Sequence, residues 1–193
     1  TPDSRFRLLP NCPPRFTAQR RFAAAIANGD NSVGVHGGVG RQSRLLSTDV
    51  YVWPDETDVK SYPPPPEQIP VRICHTITGL PDYDCLLVGG RTAPTSVLSD
   101  CWVRQHGRWE PVQSLPSPRF RHSATGVYLD NSYVLVYGGK SDTGETLSDW
   151  QLWSRQQGWQ TLHVDCEGDL PRSRFGACLV AIDDNFGILF GGM

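Results

Sequence analysis

Short apolar runs that end in a glycine pair recur along the chain. Val134–Tyr137 runs into Gly138-Gly139, Cys85–Val88 into Gly89-Gly90, Ile188–Phe190 into Gly191-Gly192, and the stretch ending at His36 into Gly37-Gly38. About fifteen residues before each pair stands a motif built on an aromatic or a histidine: Arg21-Phe22-Ala23, Cys74-His75-Thr76, Arg121-His122-Ser123 and Arg174-Phe175-Gly176. Between motif and run the pattern alternates, which predicts a first strand over Ser123–Tyr128 and over Ala177–Ile182. Turn residues follow it: Asn28-Gly29-Asp30-Asn31, Asp130-Asn131 and Asp183-Asp184-Asn185. The apolar run is the second strand. A third begins after an aspartate (Asp49, Asp100, Asp149), with Val50/Val52, Cys101/Val103 and Trp150/Leu152 each sharing a face. A fourth contains Trp109 or Trp159 and runs into Leu115 or Val164.

The glycine pairs are separated by 52, 49 and 53 residues. That spacing matches the roughly 50-residue period of kelch repeats. The fold expected is therefore all-β, a segment of a kelch-type β-propeller with three four-stranded blades and half of a fourth. The blades span about 20–60, 72–116, 118–165 and 171–193, after an irregular segment at 1–19. A four-stranded blade cannot bury both faces alone, so it stacks on its neighbours around an axis. The glycines are expected to take positive φ or to allow close backbone approach where blades crowd. The aspartates are expected to accept backbone N–H bonds, and Trp109 and Trp159 to pack between blades. The first repeat breaks the rule: a Pro-rich insertion at 61–70, with Pro63–Pro66 in succession, stands where its tryptophan belongs. Four prolines favour polyproline II, either as a stiff loop or as a ligand for a proline-binding domain. Trp53 partly replaces the missing tryptophan. The last repeat stops before its third strand, which reads as a cut through a longer protein.

Composition adds boundaries. Nineteen Gly and sixteen Pro among 193 residues suit short strands and turns, and no apolar run reaches the roughly 20 residues of a membrane span. The net charge of −2 gives no overall footprint for nucleic acid. Its distribution is less even: Arg5, Arg7, Arg15, Arg20, Arg21, Arg41 and Arg44 crowd the first fifty residues, as a solvated basic face or as contacts for phosphate. Cys12, Cys74, Cys85, Cys101, Cys166 and Cys178 form no C-x-x-C pair, so neither zinc spacing nor a redox motif is present. Cys74, Cys85, Cys101 and Cys178 are expected to behave as small buried hydrophobes of a reduced, cytoplasmic protein.

No reaction is written in these residues. His75 and His122 are aligned with Phe22 and Phe175, so they read as packing positions. No H-x-H or H-E-x-x-H pair and no nucleophile elbow or P-loop occurs. Gly37-Gly38-Val39-Gly40 is a blade turn rather than a phosphate cradle. A kelch-fold copper oxidase needs Tyr, Cys and His converging at the axis, which this spacing does not single out. No catalytic, cofactor-binding or metal-binding residue is assigned. Binding is the better-founded role, with Arg91, Arg121 and Arg174 on one rim as candidate RNA contacts and Phe120 or Trp102 as stacking partners. The same arginines could instead bridge blades by pairing with aspartate.

The order of phrases carries more. Cys74-His75-Thr76-Ile77-Thr78, Leu86-Leu87-Val88-Gly89-Gly90-Arg91-Thr92-Ala93-Pro94 and Leu98-Ser99-Asp100-Cys101-Trp102 resemble the kelch region of the tRNA wybutosine-synthesizing protein 4 family, especially its fungal forms. Ser148-Asp149-Trp150-Gln151-Leu152-Trp153 and Ile188-Leu189-Phe190-Gly191-Gly192-Met193 are similar as well. The resemblance implies a parent enzyme in which an S-adenosylmethionine-dependent methyltransferase domain, related to leucine carboxyl methyltransferases, is joined to the propeller. It implies methylation and methoxycarbonylation of a hypermodified guanosine in phenylalanine tRNA. It also implies that this segment is non-catalytic, positioning tRNA or supporting the methyltransferase domain. The alternative is a kelch interaction scaffold, such as a ubiquitin-ligase adaptor or cytoskeletal binder.

Overall fold

The computed structural model describes residues 20–27, 33–40, 50–52, 60–61, 68–164, 168–183 and 186–193. Segment 1–19, the turns at 28–31 and 184–185, Asp49, Trp53, Pro63–Pro66 and Cys166 lie outside the described residues. The first sheet is β1 (Ala24–Ala27), β2 (Val33–His36), β3 (Val50–Val52) and β4 (Lys60–Ser61), paired in that order. Next come β5 (Thr76–Leu80) and β6 (Tyr83–Val88), a small hairpin of β7 (Arg91–Ala93) and β8 (Ser96–Val97), then β9 (Cys101–Gln105) and β10 (Arg108–Val112). β5, β6, β9 and β10 form the second four-stranded sheet. The third is β11 (Ser123–Tyr128), β12 (Ser132–Tyr137), β13 (Trp150–Ser154) and β14 (Gly158–Leu162); β15 (Ala177–Ala181) pairs with β16 (Gly187–Gly191). Every pairing is antiparallel. The first strands β1, β5, β11 and β15 touch in succession, so they are the inner strands of consecutive blades. No helix occurs among the described residues, hence none long and apolar enough to cross a membrane.

The second strands read as unbroken apolar runs because they are buried on both faces. In β6, Leu86 and Val88 lie opposite Val103 and Cys101. These four side chains meet Val134, Val136, Trp153 and Trp159 of the next blade in one core cluster. Cys85 and Leu87 point to the other face, where the first blade lies, and are buried as well. Trp159 clamps the junction: its Nε1 donates to Gln113 O and its main-chain N–H to Gln113 Oε1 of the preceding blade, both at 2.9 Å. Trp109 leans the same way, with its ring 6.1 Å from that of His36. On the fourth sheet Ile188 and Phe190 hold the positions of Leu86 and Val88, yet are 53% and 76% exposed where the earlier pair is fully covered. Cys178, expected to be buried, shares this open face and is exposed.

All four glycine pairs have positive φ, from 53° to 98°. The second glycine of each earlier pair donates its N–H across the junction: Gly38 to Arg72 O, Gly90 to Arg119 O and Gly139 to Arg174 O. The first glycine cannot carry a Cβ, which at Gly37 would stand 2.5 Å from Arg72 O and at Gly89 2.7 Å from Arg119 O.

The repeat register differs from the sequence expectation by one residue in the first repeat and by two in the last. Phe22, Cys74, Arg121 and Gly176 are the equivalent residues, with φ of 61°, 57°, 56° and 67°. A line of backbone bonds joins them, each N–H donating to the carbonyl of its counterpart in the blade before: Cys74 to Phe22, Arg121 to Cys74, Gly176 to Arg121. His75 and His122 therefore correspond to Ala23 and Ala177, not to Phe22 and Phe175. Consistently, Cβ atoms of these four residues lie beneath Gly90, Gly139, Gly38 and Gly192 respectively. Matching side-chain type misplaces the register; the backbone conformation fixes it.

Candidate functional site

With the register corrected, an arginine precedes each first strand at the same place: Arg20, Arg72, Arg119 and Arg174. Each donates through Nη1 to the carbonyl of its own blade's first glycine, at 2.8, 3.0, 3.2 and 3.0 Å to Gly37, Gly89, Gly138 and Gly191. Arg72 and Arg119, fully buried, also grip the aspartate before the third strand. Arg72 donates to both oxygens of Asp100 at 2.7 Å; Arg119 donates to Asp149 Oδ1 at 2.9 Å and Oδ2 at 2.7 Å. Trp102 Nε1 and Gln151 Nε2 add a further bond to Asp100 and Asp149 respectively. The dominant partner of these aspartates is thus an arginine side chain, where backbone N–H groups were expected. Burial alone would raise both carboxyl pKa values, but the arginine bonds and charge outweigh it and hold them below normal.

The histidines sit beneath the same glycine turns. His36 Nδ1 and His75 Nε2 are 2.9 Å apart, so with both rings neutral one donates to the other. His122 Nε2 lies 2.9 Å from Thr76 Oγ1. Burial, then the nearby cations Arg72, Arg104 and Arg20, push His36 down to about 3; burial, then Arg119, does the same to His122. His75 is lowered well below its ordinary value, first by burial and then by His36. These rings are neutral packing elements rather than acid–base groups at physiological pH. Burial likewise pushes the Cys101 thiol up to about 12, leaving it inert. Among the described residues no three His, Cys, Asp or Glu converge as metal donors.

A pH dependence follows, with a defined sign. Below about pH 6.5 the unfolded chain protonates these three histidines while the folded chain does not, so stability falls as pH drops towards 3. Each ring contributes a slope of up to about 1.4 kcal/mol per pH unit. Asp100 and Asp149 have lowered folded values, so their stabilisation is complete above about pH 4 and is lost only below it. Melting temperatures of the protein between pH 7.5 and 4.5 should decline. His122→Ala, the residue the first and last repeats use there, should flatten the decline; an unchanged slope would refute the assignment.

The three candidate arginines fall on one rim, where first strands begin and second strands end. Arg91, in β7, lies with its guanidinium 4.6 Å from the Phe120 ring of the next blade, and its Nε is buried without an acceptor. Arg121 reaches two rings, Phe22 at 5.5 Å and Phe175 at 5.7 Å. Arg174 is placed differently: it occupies the Arg72/Arg119 position, with Nη1 on Gly191 O and Nε on Arg172 O. Sequence reasoning missed Lys140, whose Nζ stands 4.5 Å over Phe175. Arg91 and Lys140 both directly follow a glycine pair, and that shared position is the signal that could have found it. Of the two stacking partners expected, Phe120 is buried under Arg91 and Trp102 is bonded to Asp100. The open ring is Phe22, 47% exposed.

The chain matches a family model described as tRNA wybutosine-synthesizing protein 4, beta-propeller, over residues 69–193. A tRNA wybutosine-synthesizing protein 4 of Aspergillus oryzae is 53% identical over 97% of the chain, and the chain covers 18% of that relative. Proteins of the same name from Schizosaccharomyces pombe and Saccharomyces cerevisiae are 30% and 34% identical over 96% and 74% of the chain, which covers 26% and 20% of them. The chain thus spans about a fifth of the length of these relatives. The repeated glycine junctions, the successive sheets and these matches agree, and the chain belongs to the tRNA wybutosine-synthesizing protein 4 family, within its β-propeller.

Proposed function

We propose that this segment is a non-catalytic, RNA-positioning part of a cytoplasmic, S-adenosylmethionine-dependent enzyme that methylates and methoxycarbonylates the wybutosine precursor in phenylalanine tRNA. The observation that carries the positioning role is the rim itself. Arg91, Arg121 and Lys140 face aromatic rings, and among the described residues none of them pairs with a carboxylate. Such cations are available to phosphate. Gly38 N–H already donates to Arg72 O, and Gly37 is pressed against that same oxygen, so the glycine-rich stretch at 37–40 offers no cradle. Methyl transfer is assigned to another part of the parent protein, against which this propeller holds the tRNA.

Arg91→Gln combined with Lys140→Gln in the full-length protein should weaken binding of a phenylalanine tRNA transcript. The salt dependence of log K should become shallower by about 0.7–0.9 for each phosphate no longer neutralised. Arg174→Gln should act mainly on stability, because its guanidinium is engaged by main-chain carbonyls. Unchanged affinity and slope in the double variant would overturn the positioning role.

A further inference from the structure

Three of the four equivalent residues at the inner rim keep a side chain in the left-handed region, where glycine is favoured. Phe22 has φ 61°, Cys74 57° and Arg121 56°; only the fourth, Gly176, is the residue that this backbone prefers. A bulky residue held in αL costs stability, and such outliers gather where the side chain has a task. Here two of the three side chains meet. Arg121 leaves the third blade and reaches both Phe22 of the first and Phe175 of the fourth. Lys140 stands over the same Phe175, and Arg91 over Phe120 beside Arg121. Phe22 ends the column with its ring about half open.

We propose that Phe22, Arg121 and Phe175 form a stacking platform for one unpaired RNA base, flanked by Lys140 and Arg91 as phosphate contacts. This rests on the RNA-positioning reading above and adds to it a base-dependent component. The chemistry is that of single-strand recognition: a base has a flat π-face that stacks on a phenyl ring or a guanidinium plane whatever its sequence, while nearby cations hold the backbone. A column of alternating rings and cations with an exposed phenyl at its end is extended by one layer when a base lies on Phe22. An acidic protein segment would be drawn to the same cations but would have no use for the exposed ring.

The test uses the full-length protein and three probes: an oligoadenylate of about ten nucleotides, an abasic oligomer of equal length, and polyglutamate as competitor. The wild type should prefer the oligoadenylate to the abasic oligomer by about 5-fold or more. Phe22→Gly and Arg121→Gly install the residue that the fourth repeat already uses. They should abolish that preference while leaving the melting temperature unchanged or raised; Phe22→Asn, which also tolerates αL, should behave alike. Equal wild-type affinity for the abasic oligomer, a preference that survives Phe22→Gly, or polyglutamate competing as well as RNA each overturns the platform. If Arg91→Gln with Lys140→Gln still weakens both oligomers equally, the positioning role stands without the platform. If that pair of substitutions changes nothing, the positioning role falls first.

Discussion

Asp149→Ala should destabilise the protein by about 2–4 kcal/mol, because it leaves a buried cation without its carboxylate. Arg119 is fully buried, while the carboxylate beside it is 31% exposed, which places the expected cost towards the lower part of the range for buried pairs. Loss of the carboxylate leaves Arg119 with the Gly138 carbonyl and the Ser117 hydroxyl as acceptors. It also frees Gln151 Nε2 from Asp149 Oδ2. The comparison that isolates burial is Glu110→Ala. Glu110 bonds Arg155 at 3.0 Å, but both side chains are well exposed, and the change should stay within about 0.5 kcal/mol. Urea unfolding of the two variants should separate them clearly. Arg119→Met added to Asp149→Ala should recover part of the loss, since the uncompensated charge is then removed. Equal effects at Asp149 and Glu110 would refute the account.

Gly89→Ala should be at least as damaging, by about 3 kcal/mol or more, and for a backbone reason. Its φ of 53° already costs an L residue roughly 1 kcal/mol. The added Cβ would also stand 2.7 Å from Arg119 O and 3.3 Å from His122 Cε1. Arg119 O is the acceptor for Gly90 N–H, so the carbonyl cannot retreat without breaking the bond that joins two blades. Gly144 is the control: its φ of 85° carries the conformational penalty, but nothing lies within 4 Å of a Cβ there. Gly144→Ala should cost about 1 kcal/mol. If the two substitutions shift the thermal midpoint equally, steric pressure at the junction is not what the first glycine relieves.

Local pattern made the strands and turns legible. Alternation in Ser123–Tyr128 and the apolar run before Gly138 each report on the chain within a few residues, and β11 and β12 fall there. The β7–β8 hairpin after Gly89-Gly90 leaves no such trace; it is short and irregular, with a register shift between Arg91 and Ala93. The Arg72–Asp100 and Arg119–Asp149 clamps are harder to see, since the partners are 28 and 30 residues apart. The signal for them exists, an arginine two residues before each left-handed position, but anchoring on aromatics hides it. The rim column is less visible still. Phe22, Arg121 and Phe175 belong to three repeats, and nothing adjacent to any of them marks the others; blade stacking alone brings them together.

The bonds between blades have a handedness of role. At each junction the later blade's left-handed residue donates its N–H to a carbonyl of the earlier blade, and the earlier blade's second glycine donates its N–H to the later blade's arginine carbonyl. A blade's leading and trailing sides are therefore unlike but complementary, the relation that joins subunits head to tail. Such a handshake repeats identically at every step and carries no count. How many blades close the ring is decided by the rotation from one to the next, which the wedge of side chains between sheets sets. Trp153 and Trp159 fill that wedge beside Leu86 and Val103. Ring size is thus written in the volume of a few core residues, while the glycines and arginines would serve a ring of any size equally well.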